Sequence, residues 1–198
     1  MKPIVLASGS AIRRDILSGA GLDFDVVVKP VDERAIKDAL LDEGVKMSDI
    51  ADALAEAKSV RVSRDRPDTF VIGADQIMTM DEQLYDKPAS LDEARDRLKR
   101  MRGREHQLIG AVVICHDGQA VWRHMSRTRL WVRNFTDTFL EDYIAREGDA
   151  LTKSVGAYRF EGLGAQLFER VEGDFFSILG LSLLPVLDFL RMRGAIAA

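Results

Sequence analysis

The stretch Ile4-Val5-Leu6-Ala7-Ser8-Gly9-Ser10-Ala11-Ile12-Arg13-Arg14 decides how this chain is read. Four apolar residues make a short buried strand and Ser8-Gly9-Ser10 makes a turn. A helix follows, with Ile12, Ile16, Leu17 and Ala20 on one face. Ser10 is placed as its N-cap, the hydroxyl accepting an amide hydrogen that the first turn leaves unpaired. At such a turn backbone N–H groups point toward an anion. Arg13 and Arg14 put cations at the positive end of the helix dipole, a conflict that a bound phosphate removes. A solvated arginine face is the plainer reading of the pair, and this segment alone leaves both open.

A chain of 198 residues with 46% hydrophobic residues fills one domain, or one domain with two lobes. The net charge of −4 offers no broad field for a nucleic acid polymer or a membrane surface, so any anion is recognised locally. Cys115 stands alone, which excludes an internal disulfide and argues against a cysteine zinc site. His106, His116 and His124 are too scattered for a dedicated metal motif. The apolar run at the N-terminus is too short for a signal peptide. The longest uncharged run, Phe175 to Leu187, contains Pro185 and falls short of the roughly 20 residues a membrane span needs. A soluble, cytoplasmic protein is expected.

Outward from the opening segment, strands and helices interleave. Phe24 to Val28 reads as a strand, Ala35 to Glu43 and Ser48 to Ser63 as helices, and Phe70 to Asp75 as a buried strand that ends on a carboxylate. Gln76 to Met80 can continue that strand, before a turn at Asp81-Glu82. Leu91 to Met101 is an amphipathic helix stopped by Gly103. Leu108 to Cys115 and Val121 to Val132 form a hairpin, because Asp117-Gly118 suits a primed turn. Thr136 to Glu147 and Leu183 to Met192 are helical. The pattern predicts an α/β fold with a mixed sheet and flanking helices.

The residues with chemistry sit at the ends of these elements. Asp75, at the end of an apolar strand, is costly to bury unless paired or bound to a metal; a turn aspartate is the plainer alternative. Asp32-Glu33 follows Pro30 and could offer oxygens to a hard cation, although a solvated loop needs no ligand. Lys58 and Lys87 are unremarkable in isolation. His106 reads as structural. Gly156, Gly162 and Gly164, interleaved with Tyr158 and Glu161, mark a close backbone approach to a ligand or between packed strands.

In order and spacing these segments resemble the Maf family of nucleoside triphosphate pyrophosphatases, over nearly the whole chain. The resemblance is carried by Leu6-Ala7-Ser8-Gly9-Ser10-Ala11-Ile12-Arg13-Arg14, Val31-Asp32-Glu33, Ala55-Glu56-Ala57-Lys58, Ile72-Gly73-Ala74-Asp75-Gln76 and Asp86-Lys87-Pro88. It continues through Gly103-Arg104-Glu105-His106, Gly156-Ala157-Tyr158 with Glu161-Gly162, Val171-Glu172-Gly173-Asp174 and Leu179-Gly180-Leu181. The chain departs from the pattern at Ala11, where proline is usual, and at Ser182, where Gly-Leu-Pro is usual.

The resemblance implies an elongated mixed sheet folded as two lobes around a cleft, and hydrolysis of a nucleoside triphosphate to the monophosphate and diphosphate. Arg13, Arg14, Lys58 and Lys87 would neutralise the phosphates, with hydroxyl and amide donors from Ser8 and Ser10. Glu33 and Asp75 would hold a divalent cation, Mg²⁺ or Mn²⁺, and Asp75 would accept the proton of the attacking water. Within the family, Glu161, Asp75-Gln76 and Leu167-Phe168-Glu169-Arg170 look like the group that prefers 7-methyl-GTP, whose purine is cationic and suits a carboxylate. Ile12 departs from an aromatic residue found in some of that group. The other substrates implied are dTTP and UTP. A non-catalytic nucleotide-binding regulator of cell division is the alternative from another class, and a homodimer is compatible with either. The Ser-Gly-Ser-x-x-Arg-Arg arrangement argues against a related fold acting on deaminated purine nucleotides.

Overall fold

The computed structural model describes residues 2–197. In chain order the elements are β1 (Ile4–Leu6), α1 (Ala11–Gly19), β2 (Asp25–Val26), α2 (Glu33–Asp42), α3 (Met47–Ser63), β3 (Phe70–Met80), β4 (Gln83–Tyr85) and α4 (Leu91–Met101). They continue with β5 (Glu105–His116), β6 (Gln119–Val132), α5 (Asp137–Glu147), β7 (Phe168–Glu172), α6 (Phe175–Ile178) and α7 (Leu183–Met192), with 3-10 turns at Gly148–Lys153 and Leu163–Leu167. Seven strands make one mixed sheet in the order β2-β1-β3-β5-β6-β7, with β4 paired to β3 off that path. β1 runs parallel to both neighbours, with Val5 opposite Asp25 and Leu6 opposite Ile72.

The chain packs as two compact units. The first comprises residues up to Gln76, Ile109–Ser126 and the segment from Gly180 onward. Here α3 lies directly on β3. It buries Ile50, Ala51, Leu54, Ala55, Ser59 and Val62, and Gly73 makes the contact possible: a Cβ there would lie 2.3 Å from the Ala55 carbonyl oxygen. Ser59 bonds back to the Ala55 and Glu56 carbonyls at 3.2 and 3.1 Å and lies 3.1 Å from the buried Cys115 Sγ. Helix α2 is capped by Asp32, whose carboxylate accepts from the Ala35 amide at 3.0 Å, yet none of its residues is fully buried.

The second unit comprises Ile77–Leu108 and Arg127–Leu179. Its core gathers Met78, Leu98, Met101, Leu130, Leu140, Tyr143, Tyr158 and Leu167. α4 starts at Ser90, which caps the Glu93 amide at 3.1 Å, and stops before Gly103 at φ +67°. The buried Arg97 of α4 bonds to the Asp86 carbonyl, to the Val155 carbonyl at 2.5 Å and to Glu93 at 2.9 Å. It thereby ties the backbone just before Lys87 to the segment at Val155.

The hairpin has the expected primed turn, with Asp117 at φ +50° and Gly118 at φ +76°, and α7 has the expected bounds. Other expectations need correction. β3 runs on to Met80 by the Gln76–Met80 continuation, so Asp75 does not end the strand and its carboxylate lies in mid-strand. The expected Phe24–Val28 strand keeps only two paired residues, since β2 is an outer strand whose sole partner, β1, is three residues long. Ala20 follows α1 and is exposed, leaving Ile16 and Leu17 as that helix's buried pair. β4, β7 and α6 were not legible, being short or flanked by charge.

Candidate active site

Lys58 of α3 and Asp75 of β3 form the centre of the first unit's polar cluster. Lys58 Nζ donates to Asp75 Oδ1 at 2.6 Å and lies 3.0 Å from Glu33 Oε1, at the first turn of α2. Each partner follows from local sequence. The run Ala55-Glu56-Ala57-Lys58 keeps the α3 surface small where β3 passes beneath it, and Gly73 completes that approach. Lys58 therefore sits one turn along from the closest contact, its stem covered and its ammonium turned to the carboxylates. Asp75 is buried, and the ammonium satisfies a charge that would otherwise be costly in mid-strand.

The Ser8–Ser10 turn is built as its sequence predicts. Ser10 Oγ caps the Arg13 amide at 3.5 Å, and Ser8 Oγ accepts from the Ser10 amide at 3.3 Å. Arg13, however, directs its side chain into the protein. Nε donates to the Gly180 carbonyl at 2.8 Å; Nη1 donates to the Ala74 carbonyl at 2.8 Å and to Ser8 Oγ at 3.2 Å. Protein carbonyls thus relieve the conflict with the helix dipole that the sequence alone left to a phosphate. Burial lowers the Arg13 pKa, and the charges of Asp75 and Glu33 act in the opposite direction. The guanidinium stays charged throughout the physiological range. Arg14 points to solvent, and Gln76 is half-buried.

Lys87 and Glu161 belong to the second unit, and both are exposed. Lys87 is carried by the loop that Arg97 holds. Glu161 follows a constrained segment: Ala157 is at φ +57°, a Cβ on Gly156 would meet the Tyr158 ring at 2.2 Å, and one on Gly164 would meet the Arg159 carbonyl at 2.4 Å. Tyr158 Oη lies 2.8 Å from Nε2 of the buried His106. The nearby Arg159 hydrogen-bonds Glu147, at 2.8 and 3.2 Å, and also feels the charge of Glu161.

Sequence reasoning missed Gly180, Gly73 and Arg97 as supports of these groups. Only Gly73 carried a signal, since a glycine inside an apolar strand marks close approach of another backbone. The carboxylates suit a hard cation: Glu33 and Asp75 converge on one point, now taken by the Lys58 ammonium, and offer only oxygen donors. Among the described residues no group of three or more His, Cys, Asp or Glu could hold a metal ion, so phosphate and water oxygens would have to complete the shell. No helix among the described residues is long and apolar enough to cross a membrane.

Comparison with known proteins agrees with this arrangement. The family of Maf-like proteins matches residues 3–193. A nucleoside triphosphate pyrophosphatase of Caulobacter vibrioides is 51% identical over 196 residues, covering 99% of this chain and 98% of its own. One from Rhodospirillum rubrum is 50% identical over 194 residues, 98% of this chain and 96% of its own. A 7-methyl-GTP pyrophosphatase of Rhizobium meliloti is 46% identical over 199 residues, covering 100% of both chains. With its Ser8–Arg14 turn, its Lys58–Asp75 pair and this full-length match, the chain belongs to the Maf-like family.

Proposed function

We propose that this protein hydrolyses a nucleoside triphosphate to the monophosphate and diphosphate, and that its preferred substrate is 7-methyl-GTP. The observation that carries the hydrolase reading is the triad Glu33–Lys58–Asp75, two carboxylates converging on one ammonium beside the Ser8–Ser10 turn. The relatives named as pyrophosphatases support it along the whole chain.

Cleaving the anhydride between the α- and β-phosphates consumes one water, whose hydrogens end on the two products or on solvent. Asp75, its position set by Lys58 and by the strand, accepts a proton from that water. Lys58, Lys87 and the exposed Arg14 supply positive charge to the phosphates, and the Ser8 and Ser10 hydroxyls and amides supply neutral donors. Glu33 and Asp75 would hold Mg²⁺ or Mn²⁺, which when bound polarises phosphoryl oxygens and lowers the pKa of a bound water. Gln76 follows the reacting carboxylate on β3 and is a substrate contact. The setting is the free nucleotide pool of the cytoplasm.

The choice of base rests on Glu161. Methylation at N7 makes guanine cationic, and an exposed carboxylate, its neighbour Arg159 being hydrogen-bonded to Glu147, favours that charge and accepts from the guanine N–H edge. Support also comes from the full-length relative named as a 7-methyl-GTP pyrophosphatase. A pyrophosphate-release screen over the ordinary and methylated nucleoside triphosphates tests both levels. The expected best substrate is 7-methyl-GTP. UTP or dTTP leading by a wide margin overturns the base assignment, and no release from any of them overturns the hydrolase.

A further inference from the structure

We propose that Arg13 is a positioning residue for Asp75, not a ligand of the substrate phosphates. The inference rests on the reading of Asp75 as proton acceptor. Its side chain ties together three segments that are far apart in sequence: the turn at Ser8, the strand at Ala74 and the segment at Gly180. The bond to Ala74 matters most for chemistry. That carbonyl belongs to the peptide unit whose nitrogen is Asp75's own, so holding the oxygen sets the plane from which the carboxylate projects. The same Nη1 reaches Ser8 Oγ, which anchors the Ser10 amide, so one guanidinium registers the phosphate-facing turn against the catalytic strand.

The acceptors explain why an arginine is required. They lie in different directions around one planar group, three of the five N–H donors being engaged in these bonds, and a lysine ammonium offers no such fork. Gly180 is fitted to the arrangement as well. Its φ of +98° suits glycine, and a Cβ would stand only 3.4 Å from Arg13 Nε and Nη2. Without the fork, the Ala74 and Gly180 carbonyls lose a charged donor, and Asp75 is free to shift on β3. A displacement of about 1 Å at a reacting group costs on the order of 10²-fold in rate.

The test separates the two roles by kinetics and by non-additivity. Arg13→Met, Asp75→Asn and the double variant are compared for kcat, for KM and for binding of the α,β-methylene analogue of the triphosphate. A positioning role predicts a kcat about 100-fold lower in Arg13→Met, with analogue affinity changed less than about threefold, and a double variant no slower than Asp75→Asn alone. A phosphate ligand gives the reverse: weakened analogue binding, and losses that add in the double variant. That result overturns the proposal. If Arg13→Met does not fold, Arg13→Lys is read by the same criteria, since it keeps the charge and loses the fork. Full turnover in Asp75→Asn overturns the proton-acceptor reading, and the purpose of the clamp with it. Loss in Asp75→Asn with unchanged kcat in the Arg13 variant overturns the clamp alone.

Discussion

Lys58 Nζ reaches Asp75 Oδ1 at 2.6 Å because a glycine two residues before the aspartate lets a helix settle on the strand. The ion pair is thus a consequence of backbone packing, and its parts can be disturbed separately.

Asp75→Asn keeps the size of the side chain and an oxygen for Lys58 but removes the proton acceptor. Turnover should fall about 10²–10⁴-fold while the protein stays folded and still binds nucleotide. Pyrophosphate release from the purified variant, beside its circular dichroism spectrum, decides the matter; near-normal release would remove Asp75 from the mechanism.

Gly73→Ala introduces a Cβ that meets backbone atoms of α3, the Ala55 oxygen at 2.3 Å and the Ser59 nitrogen at 2.9 Å. Neither can yield by rotating. The expected destabilisation is about 1–3 kcal/mol, the range for overpacked cores, with activity reduced as Lys58 is pushed from Asp75. A urea titration reads the first effect, and an unchanged midpoint would show that α3 can retreat freely.

Excess chelator should abolish pyrophosphate release, and added Mg²⁺ or Mn²⁺ should restore it. Glu33→Gln should raise the cation concentration that gives half-maximal rate, because one of two carboxylates is lost. Full activity in chelator would leave the two acidic residues with another task.

His106 gives a pH signature. Burial holds its pKa down at about 3, against about 6.5 for a free imidazole. Above pH 6.5 the ring is neutral in both folded and unfolded chains and adds no pH dependence. As the pH falls below that value the unfolded chain takes up a proton that the native state refuses, so stability declines until the pH nears 3. The slope contributed approaches about 1.4 kcal/mol per pH unit in the middle of that window. Unfolding free energies from urea titrations of wild type and His106→Gln, compared between pH 6.5 and 4, should diverge in slope by about that amount. Parallel curves would mean that the ring is not kept neutral.

Much of this architecture was legible because periodicity and punctuation agreed. Ser10, Thr136 and Gly103 mark helix ends that the structure keeps, and Asp117-Gly118 marks its hairpin turn. The site was legible as a set of residue types, and Glu33, Lys58 and Asp75 are brought together. What local pattern could not show was direction. Arg13 has the same sequence neighbours whether it faces a phosphate or the Ala74 and Gly180 carbonyls, and that choice is made by a segment 167 residues away. Asp75 looked like a strand terminus because a carboxylate interrupts an apolar run. The compensating ammonium comes from another element, which one-dimensional pattern does not contain. The turn at Asp81-Glu82 was legible and the structure keeps it, at φ +52° and +62°, but β4 beyond it is only three residues long and gives no periodic pattern of its own.

Helix α2 carries Glu33 on a segment with no fully buried residue, while Lys58 and Asp75 stand on the tightly packed α3 and β3. Little apolar area is lost when α2 lifts away, and the ion pair to a carboxylate with 46% of its surface exposed adds at most about 1 kcal/mol to hold it. The molecule therefore has an anchored half to its acidic pair and a half that can depart at small cost. Amides of α2 should exchange with deuterium well ahead of those of α3, and a bound triphosphate should slow them. The Glu33 carboxylate can then part from Lys58 and Asp75 on a helix that unfastens, without disturbing the strand that holds Asp75.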